Sequence, residues 1–75
     1  MSLARRMWNK TIHIERKNIM DKINMEIREH HYTHHIYLIM FDENKTWLRR
    51  KGFKVEDVGE GYWEISWDFG DNNNE

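Results

Sequence analysis

The sequence predicts an α+β fold with two layers, in which helices pack on a three-stranded, mainly antiparallel sheet. Three observations indicate this fold class. Ile19, Ile23 and Ile27 recur at the spacing of one helix face. Residues 62–69 alternate between apolar and polar side chains, which is typical of a strand with one buried face. Residues 59–61 are Gly-Glu-Gly and predict a tight turn, so the element order should be α-β-α-β-β and end in an antiparallel hairpin.

The first helix is expected over residues 15–30, where charged side chains occupy the side opposite the isoleucine stripe. Residues 1–14 precede it as a basic N-terminal arm that can fray, extend the helix or dock on a neighbouring molecule, and residues 11–14 also fit a short strand. The chain therefore divides into this arm, a single α+β domain over residues 15–69 and a polar tail over residues 70–75.

The middle of the chain predicts a strand followed by a short helix. Residues 35–41 are β-branched and aromatic, which favours a strand. Asp42 can cap the next helix, expected over residues 43–51, whose Leu48 should point into the core. Gly52 follows a basic last turn and suits the position just after a helix, where a positive φ angle is common.

The strand over residues 35–41 is apolar on both faces, which is unusual for a domain with two layers. The helices can cover one face, so the other should be covered by the N-terminal arm, by a second subunit or by a target. We expect a homodimer that forms across the sheet, because self-association would stabilise a chain of 75 residues with a small core. The first face carries Ile36, Leu38 and Met40, and the second carries Tyr37, Ile39 and Phe41.

Composition restricts the class of protein. The chain has no cysteine, so it contains neither a disulfide nor a thiolate metal site, and this fits a reducing compartment. Its aromatic content of 13% argues against disorder. Residues 1–10 lack the apolar region of a secretory signal, and the longest apolar run, residues 36–41, is far shorter than the roughly 20 residues of a membrane helix. We therefore expect a soluble cytoplasmic protein that does not bind membranes.

Charge is distributed unevenly along the chain. The first 55 residues contain all 12 basic residues and six acidic ones, whereas the last 20 contain seven acidic residues and no basic one. Such an asymmetry indicates electrostatic partners, although the two parts can also neutralise each other within the fold. If Glu56, Glu64 and Asp68 share a face, the hairpin presents a negative surface that can dock on a basic groove or mimic nucleic acid. The other interpretation is an exposed sheet face with ordinary solvation. The expected partner-binding residues are Tyr37, Ile39, Phe41, Glu56, Glu64 and Asp68.

Direct nucleic-acid binding is an alternative function. Basic residues interleaved with tryptophan can follow a phosphate backbone and stack on bases. The pI of about 6.5 opposes this interpretation, because dedicated nucleic-acid-binding domains usually exceed about 9. The candidate residues are Arg5, Arg6, Trp8, Lys10, Arg49, Arg50, Lys51 and Lys54.

Four histidines within six residues suggest a second alternative, a metal-bridged assembly. The pairs His30/His34 and His31/His35 are spaced i, i+4, so on a helix each pair can bind one Zn²⁺, Ni²⁺ or Cu²⁺ ion. Tyr32 and Thr33 lie between the two members of each pair and favour an extended segment, however, and this would separate the imidazoles. The other interpretation is an exposed polar connection between helix and strand, and no cofactor is expected.

Two segments of the chain together form a recognisable pattern. Residues 48–55 are Leu-Arg-Arg-Lys-Gly-Phe-Lys-Val, and residues 62–67 are Tyr-Trp-Glu-Ile-Ser-Trp. They match a short helix ending L-x-x-x-G-F/Y-x-V and a hairpin that closes on an I-S-W strand, and in this the chain resembles small uncharacterised accessory proteins of bacterial viruses. The resemblance covers about residues 15–67, and the matching positions are core and turn positions. It implies a viral or mobile-element origin and an accessory role.

Catalysis is the poorest fit to the sequence. There is no cysteine nucleophile, no Ser-His-Asp set can be singled out, and the glycines form no phosphate-binding loop. We therefore expect a non-enzymatic accessory protein that binds and modulates a host macromolecule, such as a defence or nucleic-acid-processing complex.

Overall fold

The computed structural model describes residues 2–68, and its helices and strands follow the predicted order α-β-α-β-β. The α+β fold class is confirmed, with both helices contributing to a core on one face of the sheet. Phe69, which we expected in the last strand, and the tail over residues 70–75 lie outside the described residues. The elements are α1 (Leu3–Glu29), β1 (His35–Leu38), α2 (Asp42–Arg50), β2 (Lys54–Gly59) and β3 (Tyr62–Ser66).

The three strands form one sheet in the order β1-β3-β2, and both strand pairs are antiparallel. The turn between β2 and β3 consists of Glu60 and Gly61, as the Gly-Glu-Gly segment predicts. Both residues have positive φ angles, 56° and 83°, as required by the type I′ turn that fits the twist of a hairpin. Asp57 supports this turn, because its Oδ1 accepts a hydrogen bond from the Gly59 backbone N–H at 2.8 Å.

The core lies between the helices and the inward face of the sheet. Ile36, Ile65 and Val55 are buried and form one row across the three strands. Leu48 of α2 is 0% exposed and packs against this row, as predicted. The buried core residues are Ile19, Ile23, Ile36, Met40, Leu48, Val55 and Ile65, with Leu38, Trp47, Phe53, Trp63 and Trp67 among the partly buried residues around them.

Helix α1 begins at Leu3, well before the predicted start at residue 15, so the extension of the helix is the alternative that is found for the N-terminal arm. Ser2 caps it, because the Ser2 side chain accepts a hydrogen bond from the Arg5 backbone N–H at 3.1 Å. Residues 3–14 are therefore the first turns of the helix, and they form neither a separate arm nor a strand. The inward stripe of the helix reaches upstream to Ile12, which is buried.

The predicted inward face of α1 is wrong at Ile27, which is 44% exposed. Each step of four residues rotates a helix position by about 40° beyond a full turn. Ile27 is two such steps from Ile19, so it is rotated by roughly 80° away from the direction in which Ile19 points. The buried residues of α1 are Ile12, Ile19 and Ile23.

Strand β1 ends at Leu38, so the predicted strand over residues 35–41 is too long. Its pairing with β3 stops at the same residue, and the chain then turns toward α1. Phe41 becomes the N-cap residue of α2 in place of Asp42. The Phe41 ring packs edge-to-face on Trp8, with the ring centroids 4.8 Å apart. Phe41 therefore belongs to the contact between the helices and not to the sheet.

A buried amide joins the two helices. Asn44 of α2 is 0% exposed, and its Nδ2 donates to the Ile12 carbonyl oxygen at 3.2 Å and to Glu15 Oε1 at 2.7 Å. Its Oδ1 accepts a hydrogen bond from Arg16 Nε at 2.6 Å. Glu15 Oε1 also accepts a hydrogen bond from the Phe41 backbone N–H at 3.0 Å. We call Glu15, Arg16 and Asn44 the helix-crossing network.

Gly52 ends α2 as predicted, with a φ angle of +100° that favours glycine. The Gly52 N–H donates to the Arg49 carbonyl oxygen, and the Phe53 N–H donates to the Leu48 carbonyl oxygen, both at 3.1 Å. These two bonds form the Schellman motif. Because Phe53 packs against the core that contains Leu48, the motif directs the chain from α2 into β2.

Removal of the buried amide should destabilise the fold. Asn44→Ala takes hydrogen-bond partners from Glu15 and Arg16 and leaves a small cavity, so we expect the free energy of unfolding to fall by about 2–4 kcal/mol. Urea denaturation followed by circular dichroism measures this change. The control is Asn18→Ala on the exposed side of α1, which should change stability by no more than about 0.5 kcal/mol. Equal stability of the two variants would contradict the role of the helix-crossing network.

Candidate functional site

The sheet has one face that neither helix covers. Side chains alternate along a strand, and Ile36, Ile65 and Val55 point into the core. Their neighbours along each strand point the other way and are exposed or half-buried. We call these neighbours the open sheet face: His35 and Tyr37 of β1, Glu64 and Ser66 of β3, and Lys54 and Glu56 of β2.

Three side chains form the central row of the open sheet face. Glu64 lies between Tyr37 and Glu56 in the strand register, so two carboxylates lie directly opposite each other across the β2–β3 pair. Like charges at such positions repel each other and destabilise a sheet. On the other side of Glu64, the Tyr37 hydroxyl donates a hydrogen bond to Glu64 Oε2 at 3.3 Å. The row therefore concentrates negative charge at the middle of the face.

An open depression of about 590 Å³ adjoins this row. His34 Nδ1 and Asp68 Oδ2 are 3.8 Å apart at its border, so an ion pair can form there when His34 is protonated. Three carboxylates and one lysine line the depression, so the net charge of its lining is negative while the histidines are neutral. Such an environment favours a cationic ligand. The lining residues are Tyr32, Thr33, His34, His35, Lys54, Glu56, Glu64, Ser66 and Asp68.

The titration of Tyr37 reflects the same negative environment. The Glu64 carboxylate raises the pKa of Tyr37 above its ordinary value of 10.0, and desolvation and the hydrogen bond to Glu64 act in the same direction. The cause is that a phenolate would place a second negative charge beside the carboxylate. The Tyr37 hydroxyl therefore remains a hydrogen-bond donor at neutral pH.

The structure brings together four of the six predicted partner-binding residues. The four that share the central row and the adjoining depression are Tyr37, Glu56, Glu64 and Asp68. Ile39 follows the end of β1 and is 66% exposed. Phe41 lies apart from them, because β1 ends before it and its ring packs on Trp8.

Sequence reasoning missed two members of the open sheet face. We placed Lys54 with the basic end of α2 and His35 with the metal candidates, yet both lie beside Ser66 in the strand register. The alternation along β2 contains a usable signal for Lys54, since it lies two positions before Glu56 on the same strand. The face is therefore less uniformly acidic than the hairpin sequence indicates.

The four clustered histidines each contact a different neighbour, although His34 and His35 both line the depression. Helix α1 ends at Glu29, so neither i, i+4 pair lies on a helix. The side-chain contacts are His30 with Glu26, His31 with Tyr32, His34 with Asp68 and His35 with Tyr37. Across residues 2–68, no three His, Cys, Asp or Glu side chains lie close enough to hold one metal ion. This part of the chain therefore contains no metal site with three such ligands, and a metal ion shared between two copies stays a prediction.

The eight residues predicted to bind nucleic acid lie in three places. Arg5, Arg6, Trp8 and Lys10 are on the first turns of α1, Arg49, Arg50 and Lys51 are at the end of α2, and Lys54 is on the open sheet face. Trp8 packs on Phe41 at the start of α2, so the length of that helix separates the first two groups. Arg49 Nη2 donates to the Val55 carbonyl oxygen at 2.6 Å and thereby fastens β2 to α2. These residues do not form one continuous basic surface.

Comparisons with protein-family models, with curated proteins and with solved structures gave no match. Neither helix within residues 2–68 has the length and apolar character that are needed to cross a membrane. The function has to be inferred from the geometry and charge of the open sheet face.

Removal of the Glu64 charge should lower the pKa of Tyr37. In Glu64→Gln the phenolate no longer forms beside a carboxylate, so the pKa of Tyr37 should fall toward its ordinary value of 10.0. An NMR titration of the labelled tyrosine rings measures this shift. Glu60→Gln removes the same charge from the hairpin turn, which is not beside Tyr37, and should not change the pKa of Tyr37. An unchanged pKa in Glu64→Gln would contradict the contact between Tyr37 and Glu64.

Proposed function

We propose that this chain is a non-enzymatic binding module that docks a basic surface of a protein partner on its open sheet face. The observation that carries the proposal is the pair of facing carboxylates, Glu56 and Glu64, at the centre of an uncovered sheet face. Their repulsion destabilises the isolated chain, but it becomes an attraction for any cation that binds between them.

The chemistry of the open sheet face favours arginine or lysine side chains of a partner. A guanidinium group can bind two carboxylate oxygens at once, and Glu56 and Glu64 present such oxygens side by side. Tyr32 and Tyr37 are 87% and 49% exposed near them, and tyrosine rings are common in protein interfaces. The depression is also open and polar, which suits a segment of a macromolecule better than an enclosed small molecule.

The resemblance over residues 15–67 supports a more specific role. We propose an accessory protein of viral type that modulates a host macromolecule in the cytoplasm. An acidic sheet face can occupy the basic groove of a defence or nucleic-acid-processing complex, because such grooves attract negative charge. We further propose that the chain forms a homodimer across the sheet, since the uncovered face and the small core both favour self-association.

A basic peptide tests the docking face. We expect a synthetic peptide of alternating arginine and alanine to shift the amide NMR resonances of β2 and β3 most strongly near Glu56 and Glu64, with an affinity that falls as salt rises. The double variant Glu56→Gln/Glu64→Gln should weaken binding by about tenfold or more. The control Asp21→Asn/Glu29→Gln removes the same charge from exposed positions of α1 and should leave binding unchanged. Equal binding by both variants would refute the proposal.

Direct nucleic-acid binding is a second candidate function. The observation that favours it is the first turn of α1, which holds Arg5 and Arg6 and contains no acidic residue. Binding of a single-stranded oligonucleotide should weaken steeply with salt, and Arg5→Ala/Arg6→Ala should reduce both the affinity and the slope of that dependence. The control Lys22→Ala/Arg28→Ala removes the same charge from exposed positions farther along α1 and should leave both unchanged. An affinity that neither double variant changes would exclude this function.

A further inference from the structure

We propose that a second copy of this chain is a partner for the open sheet face, and that it binds through the first turns of its helix α1. This inference rests on the proposed function, because it assigns a basic ligand to the same acidic face. We call residues 3–14 the basic helix end. This segment contains Arg5, Arg6 and Lys10 and no acidic residue.

Most of the basic helix end, from Leu3 to Thr11, extends beyond the buried part of its own domain, although Trp8 packs on Phe41. Every residue from Leu3 to Thr11 is exposed, and Ile12 is the first buried residue of α1. The radius of gyration of 14.1 Å exceeds the roughly 11 Å that is typical of a compact chain of this length. Helical segments this short have little stability in water on their own. A contact that covers the basic helix end would therefore stabilise it.

An exposed apolar stripe runs along the basic helix end. Leu3, Met7 and Ile14 are 64%, 49% and 52% exposed, and they lie within about 40° of one another around the helix axis. Arg6 and Lys10 lie within roughly 80° of the centre of this stripe, whereas Arg5 lies on the opposite side of the helix. The stripe and its two flanking cations form a surface that can bind apolar and acidic groups together.

The open sheet face complements this helix surface. Glu56 and Glu64 offer carboxylates to Arg6 and Lys10, and the Tyr37 ring beside them is 49% exposed. The opposite face of the same sheet already packs on helices. A helix from a second copy would therefore add a third layer of the same kind.

Charge distinguishes this contact from a pairing of two basic helix ends with each other. Two α1 helices that packed along Leu3, Met7 and Ile14 would bring the cations of one copy close to those of the other. The contact of helix with sheet brings opposite charges together instead. If the basic helix end of each copy binds the open sheet face of the other, the two contacts are equivalent and the dimer is closed.

The inferred dimer makes self-association and partner binding mutually exclusive. A basic partner must displace the basic helix end of the second copy before it reaches Glu56 and Glu64. The dimer is therefore a form of the protein in which the partner-binding face is covered.

An exchange of charges tests the contact. We expect the unmodified chain to be a dimer by sedimentation equilibrium, and Glu56→Lys/Glu64→Lys and Arg6→Glu/Lys10→Glu each to raise the dissociation constant by about tenfold or more. An equimolar mixture of these two double variants should form a heterodimer. The basic helix end of the first variant then binds the acidic face of the second, and the acidic helix end of the second binds the basic face of the first. Circular dichroism confirms that each variant is folded. Arg5→Glu is the control, since Arg5 lies away from the stripe and should not affect the dimer.

The mixture separates this inference from its alternatives. A dimer that survives Glu56→Lys/Glu64→Lys but not Met7→Ala would show pairing of two helices and overturn the inference, as would the absence of a heterodimer. A monomeric chain that still binds the arginine–alanine peptide at β2 and β3 would overturn the inference and the proposed homodimer, and it would leave the proposed docking of a basic partner in place. A dimer restored by mixing and dissociated by that peptide would support both.

Discussion

The buried side chain of Asn44 is the constraint on which the arrangement of the helices depends. An amide without solvent contact needs its donors and its acceptor satisfied within the protein, and here the partners lie on one stretch of α1. Glu15 accepts hydrogen bonds from both Asn44 and the Phe41 backbone, so the same carboxylate fixes where α2 begins. Both helices are thereby held on one side of the sheet. The open sheet face follows from this placement of the helices, because no described helix remains to cover it.

The order of the elements could be predicted because each element has a local signal, such as the Glu60–Gly61 turn or Gly52 after α2. The boundaries could not, because they depend on contacts between distant residues. Strand β1 ends where its pairing with β3 ends, and the composition of residues 35–41 does not contain that information. The start of α1 could not be predicted for a related reason, because the apolar stripe of the helix is interrupted. Between Ile12 and Ile19 the inward positions are the polar Glu15 and Arg16, which fit this face only when Asn44 is in place.

The candidate site, too, could be predicted only in part from the sequence. Alternation over residues 62–69 predicts that Glu64, Ser66 and Asp68 share a side, and all three border the depression, although β3 itself ends at Ser66. The residues that join them from β1 and β2 depend on the antiparallel register, which brings His35 and Lys54 to either side of Ser66. The i, i+4 spacing of the histidines indicates a shared metal ion if the pairs lie on a helix, and α1 ends at Glu29, before either pair begins.

The facing carboxylates link the stability of this domain to the occupancy of its open sheet face. Glu56 and Glu64 are held opposite each other only when the register of β2 and β3 is formed, so their repulsion acts mainly on the folded chain. A cationic group bound between them removes this repulsion and stabilises the folded state by mass action at the same time. Salt acts on the two states in opposite directions. Ions screen the Glu56–Glu64 repulsion and so stabilise the free folded chain, and they also screen the attraction to the cationic group and so weaken the complex. A single exposed carboxylate shows only the second effect, because it has no close like-charged neighbour whose repulsion salt can screen. Salt that stabilises the free chain and weakens the complex is therefore the behaviour expected of the Glu56–Glu64 pair when it binds a cationic partner.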